Sequence, residues 1–157
     1  MLSPNRKNEL LMRASDDFLV RIPTLEYMTK QKILGAWGEE RACEFLLARD
    51  KQIIARNYHA QGGEIDIIAY DKITKVYLLV EVKTRRNELF GSPLQSINPK
   101  KYQSMIRSAL RYFVVEKRMK EIPTFTIQVI TIMLTTQGLE IEYLDHIDDI
   151  PESEEHY

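Results

Sequence analysis

Cysteine is almost absent from this chain, because Cys43 is the only one among 157 residues. A single cysteine cannot form an internal disulfide, and no zinc-type spacing of cysteines and histidines occurs in the sequence. Cys43 lies in an amphipathic segment, so we interpret it as a buried structural thiol and not as a nucleophile. These observations exclude a disulfide-stabilised miniprotein and a structural zinc module.

Long apolar runs are also missing from the sequence. No stretch approaches the roughly 20 apolar residues of a membrane span, and the N-terminus lacks the apolar core of a secretory signal. The hydrophobic fraction of 44% and the charged fraction of 29% are ordinary for a globular domain. We therefore expect a cytoplasmic protein that does not enter a membrane.

The net charge is only -1, but the charges are unevenly distributed. Residues 83–120 contain ten Lys and Arg against two acidic residues, whereas residues 138–157 contain eight acidic residues and no Lys or Arg. Either segment can simply be a solvated surface, and this is our interpretation of the acidic tail. The basic segment begins at Lys83, inside a predicted strand.

The length of the chain suits one domain with a hydrophobic core. We predict an N-terminal extension over 1–28, a domain over 29–147 and an acidic tail over 148–157. The hydrophobic patterns predict the order α-β-β-β-α-β-β, an α/β arrangement in which the second and third strands form an antiparallel hairpin. The first helix runs from Thr29 to about Arg49, with apolar Ala36, Cys43, Leu46 and Leu47, and the second runs from Pro99 or Lys100 to about Lys120. The predicted strands are 52–58, 64–70, 76–83, 125–134 and 139–144.

Two predicted strands carry charged residues inside apolar runs. The first is Gly62-Gly63-Glu64-Ile65-Asp66-Ile67-Ile68, and the second is Val80-Glu81-Val82-Lys83-Thr84-Arg85. Burying a carboxylate without a partner costs several kcal/mol. Because strand side chains alternate between faces, Glu81 and Lys83 share a face, as do Glu64 and Asp66. The hairpin can therefore bring the two acidic pairs together.

Carboxylate oxygens are suitable ligands for Mg²⁺ or Mn²⁺, and Mg²⁺ usually takes one or two protein carboxylates. We expect Asp66 and Glu81 to hold the metal, with Lys83 orienting a water or offsetting charge on a phosphate. Glu39 is the first choice for a further catalytic acid, and Glu40 is the second. Glu64 either supports the site or only orients the turn. In the alternative interpretation, Glu81 and Lys83 form an exposed ion pair worth less than about 1 kcal/mol.

The second predicted helix carries a stripe of basic residues. The stripe consists of four residues separated by seven, four and seven positions: Lys100, Arg107, Arg111 and Arg118. At about 100° per residue, these spacings place them on one side of the helix. With basic residues from neighbouring segments they form a candidate nucleic-acid surface, unless they only solvate the helix. The full set is Arg85, Arg86, Lys100, Lys101, Arg107, Arg111 and Arg118, and Gln95 is a supporting candidate before the helix.

Four motifs in order resemble the YraN family of small bacterial proteins. They are Gly38-Glu39-x-x-Ala42, Gly63-Glu64-Ile65-Asp66-Ile67-Ile68, Val80-Glu81-Val82-Lys83-Thr84-Arg85 and Phe90-Gly91-Ser92-Pro93. This family is similar to archaeal Holliday-junction resolvases and to the PD-(D/E)xK restriction-endonuclease-like superfamily. The resemblance covers about residues 33–147. In one departure, this chain has Gln128 at a position where the family tends to have Asp.

The resemblance implies a mixed central sheet flanked by helices, as in restriction endonucleases. It further implies that Asp66, Glu81 and Lys83 are the superfamily's catalytic Asp, Glu and Lys, that Glu39 is the acid of the first helix, and that the protein is a homodimer. We predict a Mg²⁺- or Mn²⁺-dependent endonuclease that cleaves DNA. Its candidate substrates are branched DNA and the intermediates of repair and recombination. The alternatives are a non-catalytic nucleic-acid-binding module on a nuclease fold and an interaction protein with solvated charges.

Overall fold

A computed structural model describes residues 12–13, 31–85, 97–145 and 147. Its helices and strands in chain order are β1 (Met12–Arg13), α1 (Gln31–Leu47), β2 (Lys51–Ala60), β3 (Gly63–Asp71), β4 (Val76–Arg85), α2 (Pro99–Arg111), a π-helical turn (Tyr112–Glu116), β5 (Phe125–Thr135) and β6 (Gly138–Leu144). The acidic tail and most of the N-terminal extension lie outside the described residues, so the predicted domain limits stay predictions. Neither α1 nor α2 is long and apolar enough to cross a membrane.

The strands form one mixed sheet in the order β1-β6-β5-β4-β3-β2. β4 and β5 are parallel, and the other neighbouring pairs are antiparallel. The connection from β4 to β5 contains α2, as a crossover between parallel strands requires. The predicted hairpin of β3 and β4 is confirmed, and so is the predicted restriction-endonuclease-like class of a mixed sheet flanked by helices.

The two helices cover opposite faces of the sheet. Leu79 and Val80 are neighbours in β4, so their side chains point to opposite faces. Leu79 belongs to a core cluster with Met105 of α2, whereas Val80 belongs to a second cluster with Leu46 of α1. This arrangement lets residues of both helices reach the ends of β3 and β4.

The apolar face of α1 differs in part from the predicted face. Ala42, Phe45 and Leu46 are buried at the i, i+3, i+4 spacing that a sheet-facing helix shows. Ala36 is exposed and precedes Gly38, the first residue of α1 that is described as buried. Leu47 lies at the edge of the buried face and is 55% exposed. The prediction was therefore wrong for Ala36 and Leu47. Cys43 is buried, as predicted.

The second helix is shorter than predicted. It begins after Asn98, whose side-chain oxygen accepts a hydrogen bond from the Lys101 backbone N–H at 2.8 Å. It ends at Arg111 and continues into a π-helical turn, in which the Lys117 N–H donates to the Tyr112 carbonyl at 2.9 Å. The predicted extension to about Lys120 was wrong, because the wider turn ends the α-helical repeat. Arg118 has φ 52° and lies beyond α2.

Candidate active site

β3 and β4 separate at Asp66. Their ladder runs from the pair Asp71 and Val76 to the pair Ile67 and Val80, where it ends. One step further, the Val82 backbone N–H donates a hydrogen bond to Asp66 Oδ2 at 2.7 Å. The Asp66 side chain thus replaces the backbone carbonyl that a continued ladder would supply. This explains why a carboxylate occurs among isoleucines.

The chain also bends at this point. Ile65 and Ile67 would share a face in a regular strand, yet Ile65 packs in the cluster with α2 and Ile67 in the cluster with α1. In the neighbouring β2, Asn57 has φ 49°, a left-handed conformation that is uncommon in a strand. The irregularity of both strands turns Asp66 towards the end of β4, where Glu81 and Lys83 lie.

Glu81 is the most deeply buried acid of the candidate site, with 2% of its surface exposed. Lys83 Nζ lies 2.6 Å from Glu81 Oε1, and Lys101 Nζ lies 2.8 Å from Oε2. Within the described residues, Oε2 accepts no hydrogen bond of good geometry, so its contact with Lys101 is an ion pair only. Two lysines from different elements therefore balance one buried carboxylate. Sequence reasoning placed Lys101 on the nucleic-acid surface and missed this contact.

The two aspartates of β3 have opposite electrostatic environments. The pKa of Asp66 is raised to about 7, chiefly by burial and next by the charge of Glu81, although the Val82 N–H and Lys101 oppose the shift. At the other end of β3, the ion pair with Lys51 at 2.7 Å lowers the pKa of Asp71 to about 2. Strongly perturbed carboxyl groups in a charged cluster are typical of functional sites, whereas Asp71 has the features of a structural ion pair.

Lys101 is charged in this environment. Burial opposes its charged form, but the close contact with Glu81 and the negative charges of Glu81, Asp66 and Glu64 outweigh burial and raise the pKa of Lys101. Its Nζ also lies 3.6 Å from Glu64 Oε1. Glu64 is 53% exposed and contacts His59, so it joins the cluster at its solvent edge. Glu64 is thus linked to the cluster through Lys101.

A close contact between α2 and the start of β3 holds Lys101 near Glu81. A Cβ atom on Gly63 would lie 1.9 Å from Ser104 Oγ, so a side chain at this position would force Ser104 to shift. The same hydroxyl donates a hydrogen bond to the Gly62 carbonyl at 2.6 Å. Lys101 is one helical turn before Ser104 and therefore faces the same end of the sheet.

Glu39 is the better placed of the two candidate acids of α1. Its negative charge contributes to the raised pKa of Asp66, so it lies within electrostatic reach of the cluster. Glu40 is exposed and accepts a hydrogen bond from Arg56 at 2.8 Å, which ties it to β2. The geometry therefore favours Glu39, the first choice from the sequence.

The carboxylates fit a small divalent cation. Among residues 31–85 and 97–145, no three or more His, Cys, Asp or Glu side chains converge as a ready-made metal cage. Magnesium does not require such a cage, because it usually takes one or two carboxylates and keeps several waters. Asp66 and Glu81 are the two carboxylates that would be used, and the buried Glu81 Oε2 has the ion pair with Lys101 but no hydrogen bond of good geometry. Their chemistry suits Mg²⁺ or Mn²⁺ better than a softer metal.

The predicted basic surface is present in part. Lys100, Arg107 and Arg111 are exposed on α2, and Arg107 Nε would lie 3.6 Å from a Cβ atom on Gly62, beside the turn before β3. Arg85 ends β4, two residues after Lys83, whereas Arg118 lies off the helix. Arg86, Gln95 and the Phe90-Gly91-Ser92-Pro93 motif lie outside the described residues, and their roles stay predictions.

At Gln128 the sequence departs from the pattern that the family resemblance implies. Gln128 is buried in β5, accepts a hydrogen bond from the Tyr143 hydroxyl at 2.7 Å and donates one to Asp145. In the ladder Gln128 is paired with Val80, one residue before Glu81. Its described partners are on and after β6, so its contacts support the sheet and do not join it to the carboxylate cluster.

Comparison with known proteins assigns the family. The uncharacterised protein family UPF0102 matches residues 38–132. This chain belongs to the UPF0102 family. UPF0102 is the YraN family, so the resemblance read from the four motifs is confirmed. The matched range contains Glu39, Asp66, Glu81, Lys83 and Lys101, and the family's description names no activity.

Related UPF0102 proteins occur in diverse bacteria. The relative from Geobacter sulfurreducens is 36% identical over 123 residues, which cover 78% of this chain and 94% of the relative. The relative from Dictyoglomus turgidum is 39% identical over 117 residues, covering 72% and 94%. The match to Herpetosiphon aurantiacus is 44% identical over 82 residues, and it spans 52% of this chain and 64% of that protein.

Proposed function

We propose that this UPF0102 protein is a metal-dependent endonuclease that hydrolyses phosphodiester bonds in DNA. The observation that carries the proposal is the meeting of Asp66, Glu81 and Lys83 where β3 and β4 separate. Asp66 is held by the Val82 N–H, and Glu81 is buried beside Lys83. Two buried or partly buried carboxylates beside an ammonium group, with the pKa of Asp66 raised, are more typical of a site for phosphoryl chemistry than of a structural sheet.

Each residue of the centre has a distinct role in this proposal. Asp66 and Glu81 would hold Mg²⁺ or Mn²⁺, which when bound lowers the pKa of a water and polarises the phosphate. Lys83 lies 2.6 Å from Glu81 and its side chain is 39% exposed, so its ammonium group can meet a phosphate that approaches from solvent. There it would offset the negative charge that develops during hydrolysis. Glu39 would orient the attacking water from the side of α1.

The basic residues of α2 support nucleic acid as the substrate. Lys100, Arg107 and Arg111 are exposed on the helix that also carries Lys101. Contacts of this type to phosphates give affinity without reading base sequence. The proposal therefore includes a preference for DNA shape over sequence, with branched repair or recombination intermediates as the candidate class. The similarity of the family to Holliday-junction resolvases leads us to include a homodimer in the proposal. A cytoplasmic location is included because the sequence lacks a membrane span and a secretory signal.

A second candidate function is a non-catalytic nucleic-acid-binding module. It is favoured by one observation: Lys83 and Lys101 lie 2.6 and 2.8 Å from the two oxygens of Glu81 and balance its charge. In that case the carboxylates would only position the two lysines, and divalent cations would not be needed for binding.

A cleavage survey distinguishes the two functions. Purified protein is incubated with labelled linear, nicked and four-way-junction DNA in Mg²⁺, Mn²⁺ or EDTA. We expect cleavage with Mg²⁺ or Mn²⁺, no cleavage in EDTA, and the fastest cleavage on a branched substrate. Binding without cleavage under every metal condition would instead support the binding module. Equal cleavage of all three substrates would contradict the proposed preference for branched DNA.

A further inference from the structure

Lys101 connects the two ends of the carboxylate cluster. It lies 2.8 Å from Glu81 Oε2 and 3.6 Å from Glu64 Oε1. The Glu81 side chain is 3% exposed, whereas the Glu64 side chain is 53% exposed. The ammonium group is therefore in contact with one acid inside the protein and one acid at its surface. A movement from Glu81 past Glu64 would take it outwards into solvent.

The backbone of Lys101 is fixed, but its side chain has freedom to move. Its N–H is bonded to the Asn98 cap at 2.8 Å, and α2 is held against β3 by the contact of Ser104 with Gly62 at 2.6 Å. The four-carbon stem of a lysine has several rotatable bonds and ends in a compact charge. The ammonium group can thus change partners without any displacement of the helix.

The position of Lys101 conflicts with a divalent cation at Glu81. A cation that uses Oε2 needs the site where the Lys101 ammonium now lies, and two positive charges in a partly buried site repel each other strongly. Lys83 does not compete in the same way, because it lies on Oε1. Of the two lysines, Lys101 is the one whose contact such a cation would replace.

We propose that Lys101 is a built-in counter-cation of Glu81, which a divalent cation displaces and which then binds a phosphate of the nucleic acid. The inference rests on the proposed function, because it requires a metal at Asp66 and Glu81. The destination of the displaced ammonium follows from its surroundings. Lys100 and Arg107 of the same helix are exposed near Lys101. A nucleic-acid strand bound along α2 would therefore place a phosphate at the solvent-exposed edge of the carboxylate cluster.

The first arm of the test is metal binding without nucleic acid. Mn²⁺ is titrated calorimetrically into wild type, Lys101→Met, Lys101→Gln and Lys101→Arg, with Lys100→Met as the matched control. We expect Lys101→Met and Lys101→Gln to bind Mn²⁺ about tenfold more tightly than wild type, because the competing charge is gone. Lys101→Arg keeps the charge and Lys100→Met leaves it in place, so both should bind Mn²⁺ as wild type does.

The second arm is DNA binding, measured by fluorescence anisotropy in EDTA and in Ca²⁺, an ion used here to occupy the site. In EDTA Lys101 is held by Glu81, so Lys101→Met should bind DNA nearly as well as wild type. In Ca²⁺ the variant should bind DNA about tenfold more weakly than wild type, the loss of one phosphate contact from a lysine. Lys100→Met should weaken binding equally under both conditions.

The outcomes separate this inference from the proposed function. If neither wild type nor any Lys101 variant binds Mn²⁺, the metal centre is absent and both proposals are wrong. If wild type binds Mn²⁺ and the Met and Gln variants bind it no more tightly, Lys101 is not a competing cation, and the metal centre stands. Thermal melting of every variant accompanies the titrations, and the Gln variant serves for the comparison if the Met variant does not fold.

Discussion

Gly38 of α1 lies so close to Thr84 of β4 that a Cβ atom on Gly38 would be 1.8 Å from Thr84 Oγ1. This contact sets how closely α1 approaches the strand that carries Glu81 and Lys83. Glu39 follows Gly38 directly, so the approach also brings Glu39 towards Asp66. A glycine in the interior of a helix ordinarily lowers stability. We therefore attribute Gly38 to the close packing of α1 against Thr84.

Replacing Gly38 with alanine should lower stability and move α1 away from the site. The clash with Thr84 leads us to expect a loss of about 1–3 kcal/mol, as for other overpacked positions. Gly35 is the matched control in the same helix, because a Cβ atom there would meet nothing within 4 Å. Gly35→Ala should raise stability by about 0.5–1 kcal/mol. Urea unfolding of both variants measures the difference, and equal effects would contradict the packing role of Gly38.

Asp66 should destabilise the metal-free protein at neutral and alkaline pH. Its pKa is about 7 in the folded protein, above the ordinary value of 3.8, so the folded state binds the proton more tightly. Stability should therefore fall as pH rises from about 4 to about 7. Asp66→Asn removes the buried charge and keeps an acceptor for the Val82 N–H. Its melting temperature should exceed that of wild type at pH 8 by about 4 °C, and the excess should disappear near pH 4.

Asp71 should show the opposite dependence. Its pKa of about 2 lies below the ordinary 3.8, so its ion pair with Lys51 stabilises the fold above about pH 4 and is lost as pH falls towards 2. Asp71→Asn should melt below wild type at pH 8, and the deficit should shrink below pH 3. If the two Asn variants shift the melting temperature in the same direction at pH 8, the assignment of opposite environments to the two aspartates is wrong.

The exposed arginines of α2 should contribute to DNA affinity through phosphate contacts. Arg107→Ala should weaken binding to all sequences alike and reduce the slope of log affinity against log salt concentration by about 1. Lys72 is a suitable control, because it is exposed in the turn between β3 and β4, at the opposite end of β3 from Asp66. Lys72→Ala should leave the salt slope unchanged. A similar slope for wild type and Arg107→Ala would remove Arg107 from the interface.

Much of the fold could be predicted because the sequence pattern is local. The alternation of apolar residues and the turn after Asp71 predicted β3 and β4 to within about two residues at each end. The π-helical turn was missed because nothing in the spacing distinguishes it from α-helix. It forms where Tyr112 and Phe113 are buried together in the core beneath the turn.

The position of Lys101 could not be predicted from the sequence. Lys100 and Lys101 are adjacent in the chain, and which of them enters the site depends on how α2 docks on the sheet. That docking is set by Gly63 and Ser104, which are far apart in sequence. The candidate acids were easier to find, because a lone Asp66 among isoleucines conflicts with the local pattern whatever the tertiary structure.

The most direct test of the central claim is the rate of Mg²⁺-dependent cleavage of a four-way junction by wild type, Asp66→Asn, Glu81→Gln and Asp71→Asn. Asp71 is in the same strand as Asp66 but belongs to a structural ion pair, so Asp71→Asn controls for damage to β3. We predict that Asp66→Asn and Glu81→Gln lose at least about 100-fold in rate, while Asp71→Asn cleaves as wild type does at a temperature where it is folded. Cleavage that persists in Asp66→Asn or Glu81→Gln would contradict the assignment of the active site.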